Sequence, residues 1–447
     1  MTPRECAATL TEEVLERGGM SHRLLQEAFA EHASFDARDR HFITRLVHGT
    51  LEQQLFLDDR LRQLSRVPVE KLRPWVRSVL RISLYQLFFL DGVPDRAVCP
   101  EAAELVRRRG LGGLTGYVNG VLRSALRRTG WEEETESVRL RMPEPLLTIL
   151  KNDLGPEAAE AACRAFLEER PLCGRVNLSR IPREEAIRRL EAEGAAARPF
   201  GLLPEVLILE TGHTAPEALS AVRDGFLQLQ DPASALAVAA AAPQPGEKVL
   251  DLCAAPGGKS LHAADRMAAR RALTGGPAGS VLALDVSPAK VRLLKENIER
   301  SQLPGLTAAV SDALVFSPER EEAFDLVIAD LPCSGLGVIG RKPEIRGRIG
   351  TAEIAQLAQL QRRMLENAVR YVRPGGRLLF STCTLTRAEN EENAARIAAL
   401  PGWREADLAA ALPKELHADI RGGRLTLLPG RHGTDGFFIS LFRKDSV

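Results

Sequence analysis

Two cysteines stand where chemistry is expected: Cys333 in Asp330-Leu331-Pro332-Cys333-Ser334-Gly335, and Cys383 in Ser381-Thr382-Cys383-Thr384. Each follows an apolar run, Phe324 to Ala329 and Gly376 to Phe380, that reads as a buried strand. Two thiols at the ends of core strands, one beside an acid, are equipped for covalent addition to a flat electrophile. A lone free cysteine reads instead as an inert packing group, because that residue type is among the most buried. Cys6, Cys99, Cys163 and Cys173 have no chemical context and are expected to pack.

Upstream, the apolar run Lys248 to Leu252 leads into the turn Cys253-Ala254-Ala255-Pro256-Gly257-Gly258-Lys259. Glycines after a strand let backbone approach a ligand, and open α/β sheets bind ligands beyond the carboxyl ends of their strands. A phosphate-cradling P-loop would need glycine where Cys253 stands, and the Gly-x-Gly-x-x-Gly of dinucleotide binders is missing. What remains is a nucleoside without a pyrophosphate, and S-adenosyl-L-methionine fits. Cys253 is expected to contribute backbone more than sulfur chemistry. Asp285 and Asp312 follow the next two strands, where they would meet the ribose hydroxyls and the adenine edge, and Asp330 ends the one after. Each acid alone also fits a helix N-cap or a turn, Asp285 before Ser287-Pro288 especially; three at successive strand ends favour a ligand site.

The elements that must position these groups alternate strand and helix from about residue 233 onward. Strands are expected at 248–252, 280–285, 306–310, 324–329 and 377–380, with helices at 288–300, 354–372 and 388–399. Apolar strands separated by helices imply a mostly parallel, seven-stranded Rossmann-like sheet covered on both faces. The runs 424–428 and 436–442 would close it with an antiparallel edge. Residues 143–232 read as a small α+β module, with strands at 174–178, 206–209 and 226–229 and helices at 156–169 and 183–193.

Residues 1–130 read as all helical. Ile43, Leu46, Val47 and Leu51 repeat at helical spacing, as do Val76, Val79, Leu80, Leu84 and Leu87. Pro68, Pro74, Pro94 and Pro100 are expected at helix starts and turns, and Gly130 with the acidic stretch 131–136 as a linker. The chain of 447 residues carries a net charge of only +1, yet Lys71 to Arg128 holds eleven Lys/Arg against four Asp/Glu. Such a segment can follow a phosphate backbone or can simply be a solvated helical face.

Composition excludes several classes. The longest apolar stretch, Ala235 to Ala242, falls far short of the roughly 18 residues that span a bilayer. Cys-x-x-Cys is absent among the seven cysteines, which argues against a zinc ribbon or a disulfide scaffold. No metal site is expected. The N-terminus has no hydrophobic signal core, so a cytoplasmic, reducing location is expected.

The Cys253 to Lys259 turn, Asp330-x-Pro332-Cys333-Ser334-Gly335 and Thr382-Cys383-Thr384 resemble the RNA cytosine-5 methyltransferases of the Fmu/Sun (also called Nol1/Nop2/Sun) family. Arg175-Val176-Asn177, Gly225-Phe226, Gln230-Asp231-Pro232-Ala233-Ser234 and Asp435-Gly436-Phe437-Phe438 match as well, so the likeness spans nearly the whole chain. The helical N-terminus resembles a NusB-like RNA-binding domain, and the domain order resembles the branch acting on bacterial small-subunit ribosomal RNA. The resemblance implies S-adenosyl-L-methionine as cofactor, held by residues 253–259 with Asp285, Asp312 and Asp330. It implies a monomer methylating cytosine C5 of 16S ribosomal RNA, free or in an early small-subunit particle. It also implies Cys383 as nucleophile, Asp330 as partner of the base N3, and Cys333 as the group that assists release. In DNA cytosine methyltransferases the Pro-Cys position carries the nucleophile, so the residues alone leave the order of the two thiols open. The motifs also admit transfer RNA as substrate, and the helical domain alone admits a non-catalytic RNA-binding assembly factor. Two positions depart from the family pattern: Leu331 where proline is usual, and Gly347 where an aromatic is common.

Overall fold

The computed structural model describes residues 1–446 except His213. The chain divides into two compact units, 1–168 with 339–350, and 169–338 with 351–447.

The first unit is helical: α1 (Pro3–Arg17), α2 (Ser21–Glu31), α3 (Ala37–Glu52), α4 (Gln54–Leu64), α5 (Pro74–Phe89), α6 (Asp95–Arg108), α7 (Thr115–Arg127), α8 (Glu136–Arg139), α9 (Glu144–Leu154) and α10 (Pro156–Ala165). Thr2 and Glu5 close a capping box at the start of α1, satisfying backbone N–H groups that the helix itself leaves unpaired. Ile43, Leu46, Val47 and Leu51 are buried, as are Val76, Val79, Leu80 and Leu84, so the periodic stripes face one core. Leu87 lies partly buried against it. Pro74 opens α5 and Pro94 caps α6 as expected, but Pro100 lies inside α6, where its missing N–H costs the helix one backbone bond. The acidic stretch after Gly130 is not a free linker. Glu134 pairs with Arg60 and, at 3.1 Å, with Arg141, while Trp131 packs edge-on against Phe88 at 5.7 Å.

The segment 339–350, which in sequence lies after Cys333, belongs to this unit. Glu344 accepts hydrogen bonds from the Ser21 backbone N–H at 3.2 Å and hydroxyl at 2.9 Å, and Arg346 donates to the Glu52 carbonyl at 3.0 Å. Gly347 has open space around its Cα, so no packing demand explains the missing aromatic.

The second unit starts with an antiparallel sheet of β1 (Leu172–Val176), β2 (Ala196–Pro199), β3 (Val206–Glu210) and β4 (Leu227–Leu229), in the order β2-β3-β1-β4. Helices α11 (Arg183–Ala192) and α12 (Ser220–Arg223) share its core. The sequence reading lacked β2 because Ala196-Ala197-Arg198-Pro199 is short, mostly exposed and carries no alternation. Such an edge strand tolerates proline, since its outer side makes no ladder bonds.

Helix α13 (Pro232–Ala241), β5 (Lys248–Asp251), α14 (Gly258–Thr274), β6 (Ser280–Asp285), α15 (Pro288–Ser301), β7 (Leu306–Val310), β8 (Phe324–Asp330), α16 (Thr351–Tyr371), β9 (Val372–Thr382), α17 (Glu391–Ala398), β10 (Trp403–Glu405), β11 (Ile420–Arg421), β12 (Arg424–Leu427) and β13 (Phe437–Lys444) follow. The expected seven strands are nine: the order is β11-β12-β13-β9-β8-β5-β6-β7, with β10 also on β13. Strands β5 to β9 are parallel and run out to the β7 edge, and β13, β12, β11 and β10 add antiparallel pairing on the other side. The extra strands, β10 and β11, are two or three residues long, too brief to show a period in sequence. The alanine run is α13, a helix buried at every position but Ser234, in the same core as α14, β9 and β13.

A buried polar seam joins the small sheet to α14. Arg175 and Asp265 are ion-paired at 3.3 Å with side chains 0% and 3% exposed. Asp265 also accepts from the Leu178 and Ser179 backbone N–H groups at 3.0 and 2.9 Å and from the Ser179 hydroxyl at 2.6 Å. Burial pushes His262 down to about 3, so it is neutral and Arg266, 2.5 Å away, balances the Glu205 charge. Removing one partner of a buried pair strands the other. Asp265→Ala is therefore expected to lower stability by about 3–5 kcal/mol, read from urea unfolding of the whole chain; a loss under about 1 kcal/mol would show that the seam is not a tight ion pair.

Candidate active site

The parallel strands run out from β5 in two directions, β6 and β7 on one side and β8 and β9 on the other. The crevice at such a switch point is where α/β sheets take ligands, and all three predicted motifs lie at it. The glycine turn follows β5, Asp330 is the last residue of β8, and Cys383 comes one residue after β9 ends.

The turn is held from several sides. Its Ala254 N–H donates to the Leu284 carbonyl at 2.7 Å, and Asn297 on α15 donates to the Pro256 carbonyl at 2.7 Å. Gly257 has φ +113°, a backbone conformation that side-chain-bearing residues rarely adopt, so glycine is required there. Helix α14 starts at Gly258 and leaves its first N–H groups facing the crevice end of the strand. Burial pushes the Cys253 thiol well up, which keeps it a protonated wall of the turn.

Asp285 accepts from the Ser287 N–H at 3.0 Å and Asp312 from the Leu314 N–H at 2.9 Å. Each carboxylate thus uses one oxygen to shape its own turn. Asp312 lies two residues beyond β7, whereas Asp285 is the last residue of β6.

Lys259, expected with the cofactor turn, directs its ammonium elsewhere. Nζ lies 2.7 Å from Asp330 Oδ2 and 2.9 Å from Ser234 Oγ, and 4.9 Å from the centre of the Phe437 ring. Ser381 donates its hydroxyl to the other Asp330 oxygen at 2.7 Å. Ser234 in turn accepts from Gln230 at 3.1 Å, and Gln230 accepts from buried Arg175 at 2.9 Å. One polar chain therefore runs from the small sheet to Asp330.

Cys333 and Cys383 come together with their sulfurs 3.3 Å apart, both partly exposed. The hydrogen bond to the Cys383 sulfur, then burial, push the Cys333 thiol well above its usual range, aided by the Glu389 and Asp330 charges. Gly337 donates to the Cys383 carbonyl at 3.0 Å and accepts from Gly436 at 2.8 Å. A Cβ on Gly337 would lie 2.0 Å from the Gly436 oxygen and 2.8 Å from the Cys383 oxygen, so the three backbone segments are in close contact there. Leu331 is buried, and its N–H donates to the Ser381 carbonyl at 3.2 Å, a bond that proline at this position would forfeit. The remaining cysteines, Cys6, Cys99, Cys163 and Cys173, are buried, and none of the seven is in a disulfide.

Sequence reasoning missed Asp251, Ser234, Ser381 and Glu389. Asp251 ends β5 immediately before the turn, a signal in plain view. It accepts from Ser260 at 2.6 Å through Oδ2, while Oδ1 is buried without a partner. A buried acceptor without a donor, beside an open glycine turn and the Asp285 carboxylate, suits a cationic or hydrogen-bond-donating nucleoside ligand, so these residues fit S-adenosyl-L-methionine. Among the described residues no cluster has the makings of a metal site, and no helix is long and apolar enough to cross a membrane.

A glycine turn without phosphate-binding features, at the switch point of a Rossmann-like sheet, defines a methyltransferase. Family models agree: "16S rRNA methyltransferase RsmB/F" matches residues 238–443, the NusB family matches 1–127, and the ferredoxin-like domain of the RsmF/B-like methyltransferases matches 142–215. A Bacillus subtilis protein named "Probable ribosomal RNA small subunit methyltransferase B" is 36% identical, with 96% of each chain covered. Ribosomal RNA small subunit methyltransferase B of Vibrio cholerae is 30% identical over 99% of this chain and 98% of its own. The solved structure of PH0851 superposes with a TM-score of 0.83 at 28% identity, covering 99% of both chains. NSun6 from Pyrococcus horikoshii, solved with SFG, shares the fold at TM-score 0.59 and 22% identity over 68% of this chain and 98% of its own. The chain belongs to the Fmu/Sun family, in its ribosomal RNA small subunit methyltransferase B branch. It is an S-adenosyl-L-methionine-dependent methyltransferase of small-subunit ribosomal RNA.

Burial raises Asp251 to about 7, helped by the Asp330 charge and opposed by the Ser260 hydroxyl. A carboxyl raised on folding contributes stability that is complete below the unfolded carboxylate range and is lost as pH rises through about 7. Without cofactor, the protein is expected to lose on the order of a few kcal/mol as pH rises from about 4 to about 7, with little further loss above that. Asp251→Asn should flatten that slope in thermal unfolding; equal slopes in both proteins would refute the assignment.

Proposed function

We propose that this methyltransferase acts on C5 of a cytosine in 16S ribosomal RNA through a covalent bond between Cys383 and C6 of the base. The observation that carries this reading is the 3.3 Å approach of the Cys333 and Cys383 sulfurs beside an Asp330 carboxylate oriented by Lys259 and Ser381.

Cytosine C5 is a weak nucleophile. The Cys383 thiolate adds its electron pair to C6, and the ring's C5=C6 electrons become available at C5. Asp330, fixed at both oxygens, accepts a hydrogen bond from N3 once that nitrogen takes up a proton, which neutralises the charge that develops on the ring. The residues of the 253–259 turn, with Asp251, Asp285 and Asp312, would hold S-adenosyl-L-methionine. That cofactor supplies an electrophilic methyl group on a sulfonium. Water takes the C5 proton, the C5–H electrons return to the ring, and the C6–S bond breaks to expel the Cys383 sulfur. Cys333, which keeps its proton because a second thiolate at 3.3 Å is electrostatically unfavourable, assists that release. The likeness of Thr382-Cys383-Thr384 to the family motif is the reason to assign the attack to Cys383.

A flipped-out base is required for such enclosure. The helical unit offers phosphate contacts: Arg107, Arg108 and Arg123 line a cleft of about 590 Å³ with Asn119 and Glu104. Arg77 and Arg81 of the same basic segment are turned inward instead, onto Glu16 and Asp58. Such contacts position RNA without specifying its sequence.

With labelled cofactor and undermethylated small-subunit RNA, label is expected at cytosine C5. Cys383→Ala should lower the rate at least about 10³-fold and form no adduct, whereas Cys333→Ala should accumulate a covalent protein–RNA species on a denaturing gel. An adduct from Cys383→Ala and none from Cys333→Ala would exchange the two roles.

A further inference from the structure

The two thiols belong to different loops, and the sulfur–sulfur contact cannot itself hold them at that distance. We propose that Glu389 is the positioning residue that sets Cys333 and Cys383 against each other for attack and release, an inference that rests on the covalent reading above.

Glu389 lies between β9 and α17, and it is 0% exposed. Oε1 accepts from the Ser334 backbone N–H at 2.9 Å and from Gln361 Nε2 at 3.0 Å. Oε2 accepts from the Ser334 hydroxyl at 2.5 Å and the Thr386 hydroxyl at 2.8 Å. Gln361, on α16, also donates to the Pro332 carbonyl at 2.8 Å, and its own oxygen accepts from Asn393 at 3.0 Å. Both neighbours of Cys333 in sequence, Pro332 and Ser334, are therefore fixed by Glu389 and its amide partner. Because the Ser334 hydroxyl gives its proton to Glu389, the 2.6 Å contact with Thr384 requires Thr384 to donate. Thr384 follows Cys383 directly and Thr386 lies two residues further, so the second thiol loop hangs on the same carboxylate.

Four donors converge on two oxygens, a set that a carboxylate satisfies without reorienting any of them. Glutamine keeps the size but sets an NH2 against the Ser334 and Thr386 hydroxyls, which must turn round to accept; the Ser334 hydroxyl then donates toward Thr384, so the hydrogen-bond polarity between the two thiol loops reverses and the loops must shift. Glu389 touches neither sulfur in this network; its effect on the reaction passes through the loops it holds. Such displacement near reacting groups costs on the order of 10²-fold in rate.

The test compares Glu389→Gln with the unaltered protein in single-turnover methylation, thermal unfolding and adduct analysis. The expected result is a fall in kcat on the order of 10²-fold, with KM for RNA and cofactor within about twofold, and an adduct that accumulates although Cys333 is intact. The relative alkylation of Cys333 and Cys383 by iodoacetamide, resolved by mass spectrometry across pH, should also change. That readout needs no turnover. A purely structural role would lower the melting temperature and the active fraction, leaving kcat per active site, adduct level and alkylation ratio as in the unaltered protein, and that outcome overturns the proposal. If Glu389→Gln does not fold, Ser334→Ala and Thr386→Val release one arm each and are held to the same criteria. Absence of C5 product from the unaltered protein would sink the covalent reading; normal product with unchanged variants would sink only the role of Glu389.

Discussion

The pairing of β8 with β9 places Asp330 opposite Ser381, and the whole site depends on that register. Side chains alternate across a strand, so Leu326, Ile328 and Asp330 share one face of β8, and Leu379, Ser381 and Cys383 continue one face of β9. The apolar members of both sets lie in the core that contains α13 and α14. Asp330, Ser381 and the Cys383 loop are thereby delivered to the side from which Lys259 reaches over. A one-residue slip would turn either set to the opposite face, separating the acid from its lysine and one thiol from the other. The apolar burial of Leu326, Ile328 and Leu379 makes that slip costly, so core packing and catalytic geometry are enforced together.

A second dependence runs through polar contacts. Buried Arg175 on the small antiparallel sheet connects through Gln230 and Ser234 to Lys259, and by its ion pair with Asp265 to the helix that begins at the cofactor turn. A buried charge is tolerated only when its hydrogen bonds are made, and here the partners come from both folds of the unit. The small sheet is thus tied to the site's electrostatics, which accounts for matching motif residues lying well outside the Rossmann-like strands.

The helical unit divides its charge between two uses. Some of its arginines neutralise internal acids, as Arg81 does with Asp58 and Arg60 with Glu134, while others line an open cleft, where Arg107 and Arg108 share Glu104. The same unit also holds the segment 339–350 through Glu344 and Arg346. A stretch only a few residues from Cys333 is therefore folded into a unit whose family model is NusB.

The residue types and their local spacing were sufficient for the architecture and for the class of chemistry. Apolar runs of five or six residues between helical periods identify parallel strands, and glycine turns or acids at their ends identify a cofactor crevice, because those signals are local. Short edge strands β2, β10 and β11 escaped, since two to four residues carry no period. The role of Lys259 escaped as well: position in the turn suggested the cofactor, whereas its ammonium finds Asp330, 71 residues away in sequence. Glu389 looked like one more acid at a helix start until folding gathered donors from three elements around it. By itself the sequence determined which groups are present and which strand ends carry them. Only the tertiary structure decided which of them touch, because hydrogen bonds and thiol pairs act over about 3 Å and no spacing along the chain specifies a distance across a sheet.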